Sequence, residues 1–345
     1  VNHRLRTVLS ALGVLVVLLV LAEVGTRVLA PHLPEPELWA DTSTATKVAQ
    51  MDALHETQGC VDVVFAGNSM TRDGIDPAVF TAADPGGRTA YNAALDAATP
   101  ALIAQWIPDE VEPRLQPDTV VIGLTSFDFN EGANLTASAL DAYESAPETR
   151  TDLFGRMEQP FLDHLALFRH RVELRDPETV WNSLRRLRTG EETEHPDPAG
   201  LPGVLGPAGQ GLSRRDLVYG GSAVAQQLVL DQLLNDYEPS DSQAEALRSL
   251  VHDLEEQGTQ VVLLLLPVTD DYLALHPNGA ADYDEFAAQV EQIGEQAGVT
   301  VVDAHDWAPE ESMFADTHHL NASGSGSFSE ALPALLPEAA EDTGC

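Results

Sequence analysis

The chain has 345 residues, enough for one large domain or two ordinary ones, so a sizeable core can form. Its 18 basic against 55 acidic residues leave a net charge of -37, which excludes a phosphate-binding nucleic-acid surface and reads as a strongly solvated exterior. Two cysteines, Cys60 and Cys345, exclude a disulfide-dense scaffold and form no CxxC or zinc pattern; either they bridge, tying the end of the chain to the sheet, or they are two free thiols.

The predicted elements begin with a membrane segment. Behind His3, Arg4 and Arg6 come 16 uncharged residues, Thr7 to Ala22, interrupted by Glu23 and extended through Val24 to Ala30. Pro31 follows the VLA at Ala30, a poor cleavage site, so residues 1–30 are expected to be an uncleaved signal anchor rather than a cleaved signal. Basic residues ahead of the span place the amino end in the cytoplasm and the rest of the chain outside, as a single-pass protein. Residues 31–57, rich in Pro, Glu, Thr and Ala, read as an extracytoplasmic stalk, and residues 58–345 as the globular domain.

Strand-like apolar runs recur at Val61–Ala66, Thr89–Asn92, Thr119–Leu124, Val261–Pro267 and Val299–Asp303. Helical patterns separate them: Ala97–Ile107, a helix capped by Ser240 with Gln243 and running to Gln257, and one with Phe286, Val290, Ile293 and Ala297 on one face before Gly298. Strands apolar on both faces, alternating with helices, predict an α/β fold with a mainly parallel five-stranded sheet covered on both sides. The third strand is followed by an insertion at about 131–237, in which Asp176-Pro177 opens a helix to Arg188 and residues 189–211 read as a mobile loop. Trp106, Trp181 and Trp307 read as core or rim packing, and the arginines of the insertion as helix-surface ion pairs.

The run AGNSM ends the first strand on Ser69, where the start of a helix offers unpaired N–H groups and partial positive charge. Near the other end, DTHHLN places Asp316 three residues before His319 on one short loop. A serine hydroxyl becomes a nucleophile when a neutral imidazole takes its proton, and that imidazole needs a carboxylate to fix its tautomer. Ser69, His319 and Asp316 are therefore the candidate nucleophile, general base/acid and orienting carboxylate. A metal site on Asp316, His318 and His319 is the lesser alternative, with no HExxH to support it; no metal and no cofactor are expected.

On these residues the chain resembles the SGNH (GDSL-like) hydrolases: AGNSM resembles their first block and DTHHLN their last, with YNAALDAATP (91–100) and VIGLTSFDFN (121–130) in the places of the second and third. The anchor, the GIDP after Ser69 and the strand ending at Pro267 are similar to the membrane-anchored branch of bacterial cell-surface acyltransferases and esterases. The resemblance implies a flavodoxin-like three-layer sandwich and acyl ester hydrolysis or O-acyl transfer, with an acylated glycan or other envelope polymer as partner beside the lipid bilayer. It also implies an oxyanion site, for which Ala97, Asn92, Thr125 and Ser126 are the candidates, because the family's glycine and asparagine are missing from the middle blocks. That departure motivates the alternative of a non-catalytic envelope glycan-binding or assembly protein with a degenerate site.

Overall fold

The computed structural model describes residues 2–337 except 35, 37, 151–152, 194–196, 198 and 309. Cys345, and with it any bridge to Cys60, lies outside the described residues. The residues separate into two compact units, one formed by 1–41 with 144–195 and the other by 42–143 with 196–345.

The first unit contains helix α1 (Asn2–Leu29). From Thr7 to His32 this segment is long and apolar enough to cross a membrane.

In the second unit α2 (Thr42–Gln58) comes first. It then builds β1 (Val63–Gly67), α3 (Ser69–Gly74), α4 (Pro77–Ala83), β2 (Ala90–Asn92) and α5 (Pro100–Trp106). A short helix α6 (Glu112–Leu115) leads into β3 (Thr119–Leu124). Then come α7 (Asn134–Ser145) and, in the first unit, α8 (Leu153–His164), α9 (Ala166–Arg169) and α10 (Pro177–Thr189). The second unit resumes with α11 (Ala223–Gln232), α12 (Asp241–Gln257), β4 (Gln260–Leu265) and α13 (Asp270–Ala274). It ends with α14 (Ala280–Ala297), β5 (Thr300–Asp303) and α15 (Ala322–Leu335).

All five strands are parallel, in the order β2-β1-β3-β4-β5. Val63 to Gly67 and Thr119 to Leu124 are buried throughout, as a central strand covered on both faces requires. Right-handed connections, from β1 to β2 on one side and from β2 to β3, β4 and β5 on the way back, put α4 on one face and α5, α12 and α14 on the other; α15 packs on α4, and α12 on both α5 and α14. This is the expected three-layer α/β sandwich.

Three expectations differ from what is found. Residues 42–57, the second half of the segment expected to be a stalk, lie in α2, whose Val48 and Met51 are buried in the same unit as the sheet, so its apolar positions found a core. Residues 199–211, read as mobile, fold into turns closed by bridges Leu201–Leu205 and Leu205–Gly211. Gly209 O there and Asn92 O at the end of β2 share the fully buried Lys47 ammonium at 2.6 and 2.5 Å, which the local composition of neither segment announces. Trp181 is 65% exposed, whereas Trp106 is buried with its indole N–H on Ala93 O.

Candidate active site

The site lies at the carboxyl ends of β1 and β3, where sites form in open parallel sheets. Asn68 caps α3, its side-chain oxygen accepting the Met70 N–H at 2.8 Å. Its amide donates to both oxygens of Asp128 at 2.8 Å, and Asp128 also accepts the Thr125 N–H at 2.8 Å. The turn bearing Ser69 is thus held by a carboxylate from the loop after β3. Burial pushes the Asp128 carboxyl up to about 8, against the opposing pull of its Asn68 and Thr125 donors.

The second half of the site is a loop between Phe314 and Leu320, closed by a bridge between those two residues. Asp316 accepts the backbone N–H groups of His318 and His319 at 3.0 and 2.9 Å, a local turn that Asp makes readily. Thr269, beyond β4, donates both its N–H and its hydroxyl to Thr317 O, and Asn321 ties the loop to α15 by capping Ser323 and Gly324.

These two halves meet. Ser69 Oγ lies 2.8 Å from His319 Nε2, and His319 Nδ1 lies 2.8 Å from Asp316 Oδ2. Ser69 is 9% exposed and His319 4%, so the contact is largely shielded from bulk water. Burial works to raise the Asp316 pKa, but the adjacent His319 and His318 and the backbone donors outweigh it and hold the carboxyl well below the ordinary carboxylate range. Arg214 Nε stands 3.7 Å from Asp316 Oδ2 while its Nη1 reaches Asp73 Oδ2 at 2.5 Å. Arg72 pairs with Asp73 at 2.8 Å and with Asp96, the neighbour of Ala97, and so joins α3 to the turn after β2.

The remaining sequence candidates divide. Ala97 is buried in the left-handed region, with φ 51, where a glycine would sit without strain. Neither its N–H nor that of Ser69 finds an acceptor among the described residues. Asn92, Thr125 and Ser126 differ from the expectation of oxyanion donors. The Asn92 amide is taken by Thr71 O and Ile75 O at 2.9 Å, holding the far end of α3. Ser126 Oγ is 2.7 Å from Tyr272 Oη and 2.8 Å from His276 Nε2, and Thr125 Oγ1 also faces Tyr272. Side-chain direction decides this, and the sequence pattern of the third block does not carry it. Asn68 and Arg214 were not singled out by the sequence: Asn68 has a signal in its capping position, while Arg214 sits in the insertion with none.

Asp316, His318 and His319 present three ligand atoms within 4.8 Å of one another. A cation there would compete for the same His319 nitrogens that contact Ser69 and Asp316.

His318 is buried against Phe127, Tyr272 and His319. Burial, reinforced by His319, pushes its pKa down to about 3 from an ordinary 6.5. Between those values the unfolded chain carries a proton that the folded chain does not, so acidification through this window lowers the unfolding free energy. His318→Gln is expected to flatten that stretch of the stability curve, measured by urea titration at successive pH values. The opposite slope from Asp128 is common to both proteins and cancels in the difference. An unaltered slope would contradict a neutral buried His318.

Residues 231–332 match the model of a family described as DltD protein, a segment that contains Asp316 and His319 but not Ser69. No curated protein matches the chain. Among solved structures, an α/β hydrolase from the metagenome of Lake Arreo is 13% identical, over 80% of this chain and 94% of its own, with TM-score 0.42. The acetylxylan esterase Axe2 of Geobacillus stearothermophilus is 12% identical over 80% and 93%, with TM-score 0.38. A GDSL-like lipase of Bacteroides thetaiotaomicron is 10% identical over 86% and 96%, again at 0.38. With Ser69 on the turn after β1 and its Asp-x-x-His loop before α15, the chain resembles the SGNH (GDSL-like) hydrolases, and over residues 231–332 it is similar to the DltD protein family.

Proposed function

We propose that the protein carries out serine-dependent acyl transfer on an ester of a cell-envelope glycan or polymer, held at the membrane by α1. The observation that carries this reading is the continuous Ser69–His319–Asp316 contact, with both links at 2.8 Å. Ser69 Oγ attacks the ester carbonyl as His319 Nε2 takes its proton, and Asp316 holds Nδ1–H and stabilises the imidazolium. The N–H groups of Ser69 and Ala97 receive the oxyanion. The alcohol leaves with the proton from His319, and the acyl group stays on Ser69. Water then makes the enzyme an esterase, and a glycan hydroxyl makes it a transferase; in either case His319 takes the acceptor's proton and returns it to Ser69.

In domain terms, residues 1–30 are the anchor, and the hydrolase-like domain with its insertion begins with α2 at residue 42, on the outer side of the membrane. Tethering favours a large substrate fixed in the envelope over a diffusing metabolite. A fluorophosphonate probe tests the reading: the native protein is expected to be labelled on Ser69, and Ser69→Ala not at all. Absence of labelling in folded native protein would favour the non-catalytic alternative.

A further inference from the structure

A helix packed on a protein in water turns its charged face outward. Helix α10 turns large apolar side chains outward as well. Trp181, Leu184 and Leu187 fall within a sector of about 120° on its surface. They are 65%, 46% and 37% exposed, whereas Ser183, on the side of the helix turned to the protein, is fully buried. Arg185 and Arg188 are also exposed along the outward face. In the same compact unit Phe161 of α8 and Val172 are 50% and 64% exposed. An outward face that mixes large apolar side chains with arginines is what a headgroup layer selects.

Contacts within this unit fasten the surface to one end of α1. The Glu23 carboxylate accepts the Ala166 and Leu167 N–H groups at 3.0 and 2.9 Å, and Arg27 donates to His164 O at 2.8 Å. At the far end of α10, Arg186 reaches His32 O at 3.4 Å, His32 contacts Glu191 O at 2.6 Å, and the Thr193 N–H donates to Pro31 O. Counted from Thr7 at 1.5 Å per residue, about 20 residues cross a hydrocarbon layer about 30 Å thick and end near Thr26. The residues that hold α9 and α10, from Glu23 to His32, therefore lie at the boundary between acyl chains and headgroups.

Charge agrees with that depth. Between residues 169 and 188 there are six arginines, Arg169, Arg171, Arg175, Arg185, Arg186 and Arg188, against three acidic residues, in a chain of net charge -37. Tryptophan is favoured at headgroup depth, and arginine buries its stem while its guanidinium reaches phosphate. The geometry points to an interfacial platform: the outward face of α10, with Trp181, Leu184 and Leu187, rests in the headgroup layer of the bilayer that α1 enters, with Arg185 and Arg188 on lipid phosphates. This rests on the reading of α1 as an anchor.

The test uses the full chain reconstituted in protein-free vesicles of phosphatidylcholine and phosphatidylglycerol carrying a nitroxide on lipid carbon 5. The nitroxide is expected to remove about a quarter of the tryptophan emission, the share of one tryptophan among four. Trp181→Phe, a mild change at an exposed position, is expected to abolish that loss. Equal quenching in native and variant protein, or none in either, while the protein resists carbonate extraction, overturns the platform and leaves the anchor standing. Release by carbonate overturns the anchor reading and this one together.

Discussion

Ser69→Ala is expected to lower ester turnover by about 10⁴-fold or more, with folding unchanged, because the substitution removes only the atom that contacts His319 Nε2. His319→Ala should cost a similar factor. The double variant is the decisive measurement: once the hydroxyl is gone the imidazole has no proton to take, so removing both should cost no more than removing either. Asp316→Asn should slow turnover by about 10⁴-fold through the wrong His319 tautomer, since the amide can no longer accept Nδ1–H with both oxygens. Steady-state kinetics on an aryl acetate would read all four variants. Independent, multiplying losses from Ser69→Ala and His319→Ala would mean that the two groups do not work as one relay.

Gly67→Ala is expected to destabilise the protein by roughly 3 to 5 kcal/mol, for a reason that also explains how Ser69 is placed. Gly67 has φ +145, and an added Cβ would stand 2.5 Å from Gly123 O and closer still to Thr71 Oγ1. A Cβ on Gly123 would meet the same threonine. Thr71, fully buried in the first turns of α3, therefore occupies the space left by two glycines on neighbouring strands, and this lets α3 approach the sheet closely. Gly87, with φ +68 and open space around its Cβ position, is the control, and its alanine variant should lose only about 1 kcal/mol. Urea unfolding of the two variants would separate the steric cost from the conformational one. A Gly67→Ala loss no larger than that of Gly87→Ala would show that α3 can move away from the strands, and that Ser69 is not rigidly held.

Much of the architecture was legible from local patterns. The apolar runs located all five strands to within about two residues; β1, β3 and β4, buried on both faces, have little choice of composition, while the edge strand β5 is half exposed. Ser240 as a cap and Pro177 at a helix start act within four residues, and each stands where it was read. The Asp316–His319 spacing is equally local, because one carboxylate can accept two backbone N–H groups and the ring nitrogen of the same loop. The sequence of α2 has the composition of a stalk, and its burial depends on partners distant in the chain, Asn92 O and Gly209 O among them.

The residue types at Ser69, His319 and Asp316 were set by what the amino-acid order alone encodes: a polar turn after an apolar strand, and a carboxylate three residues before an imidazole. Their meeting across 250 positions is a product of the parallel β2-β1-β3-β4-β5 order, which brings the ends of β1 and the loop before α15 to one rim. Packing likewise turned Asn92 and Ser126 away from that rim and Trp181 outward, because the direction of a side chain depends on which neighbours fill the space around it, and those neighbours are chosen by the fold as a whole.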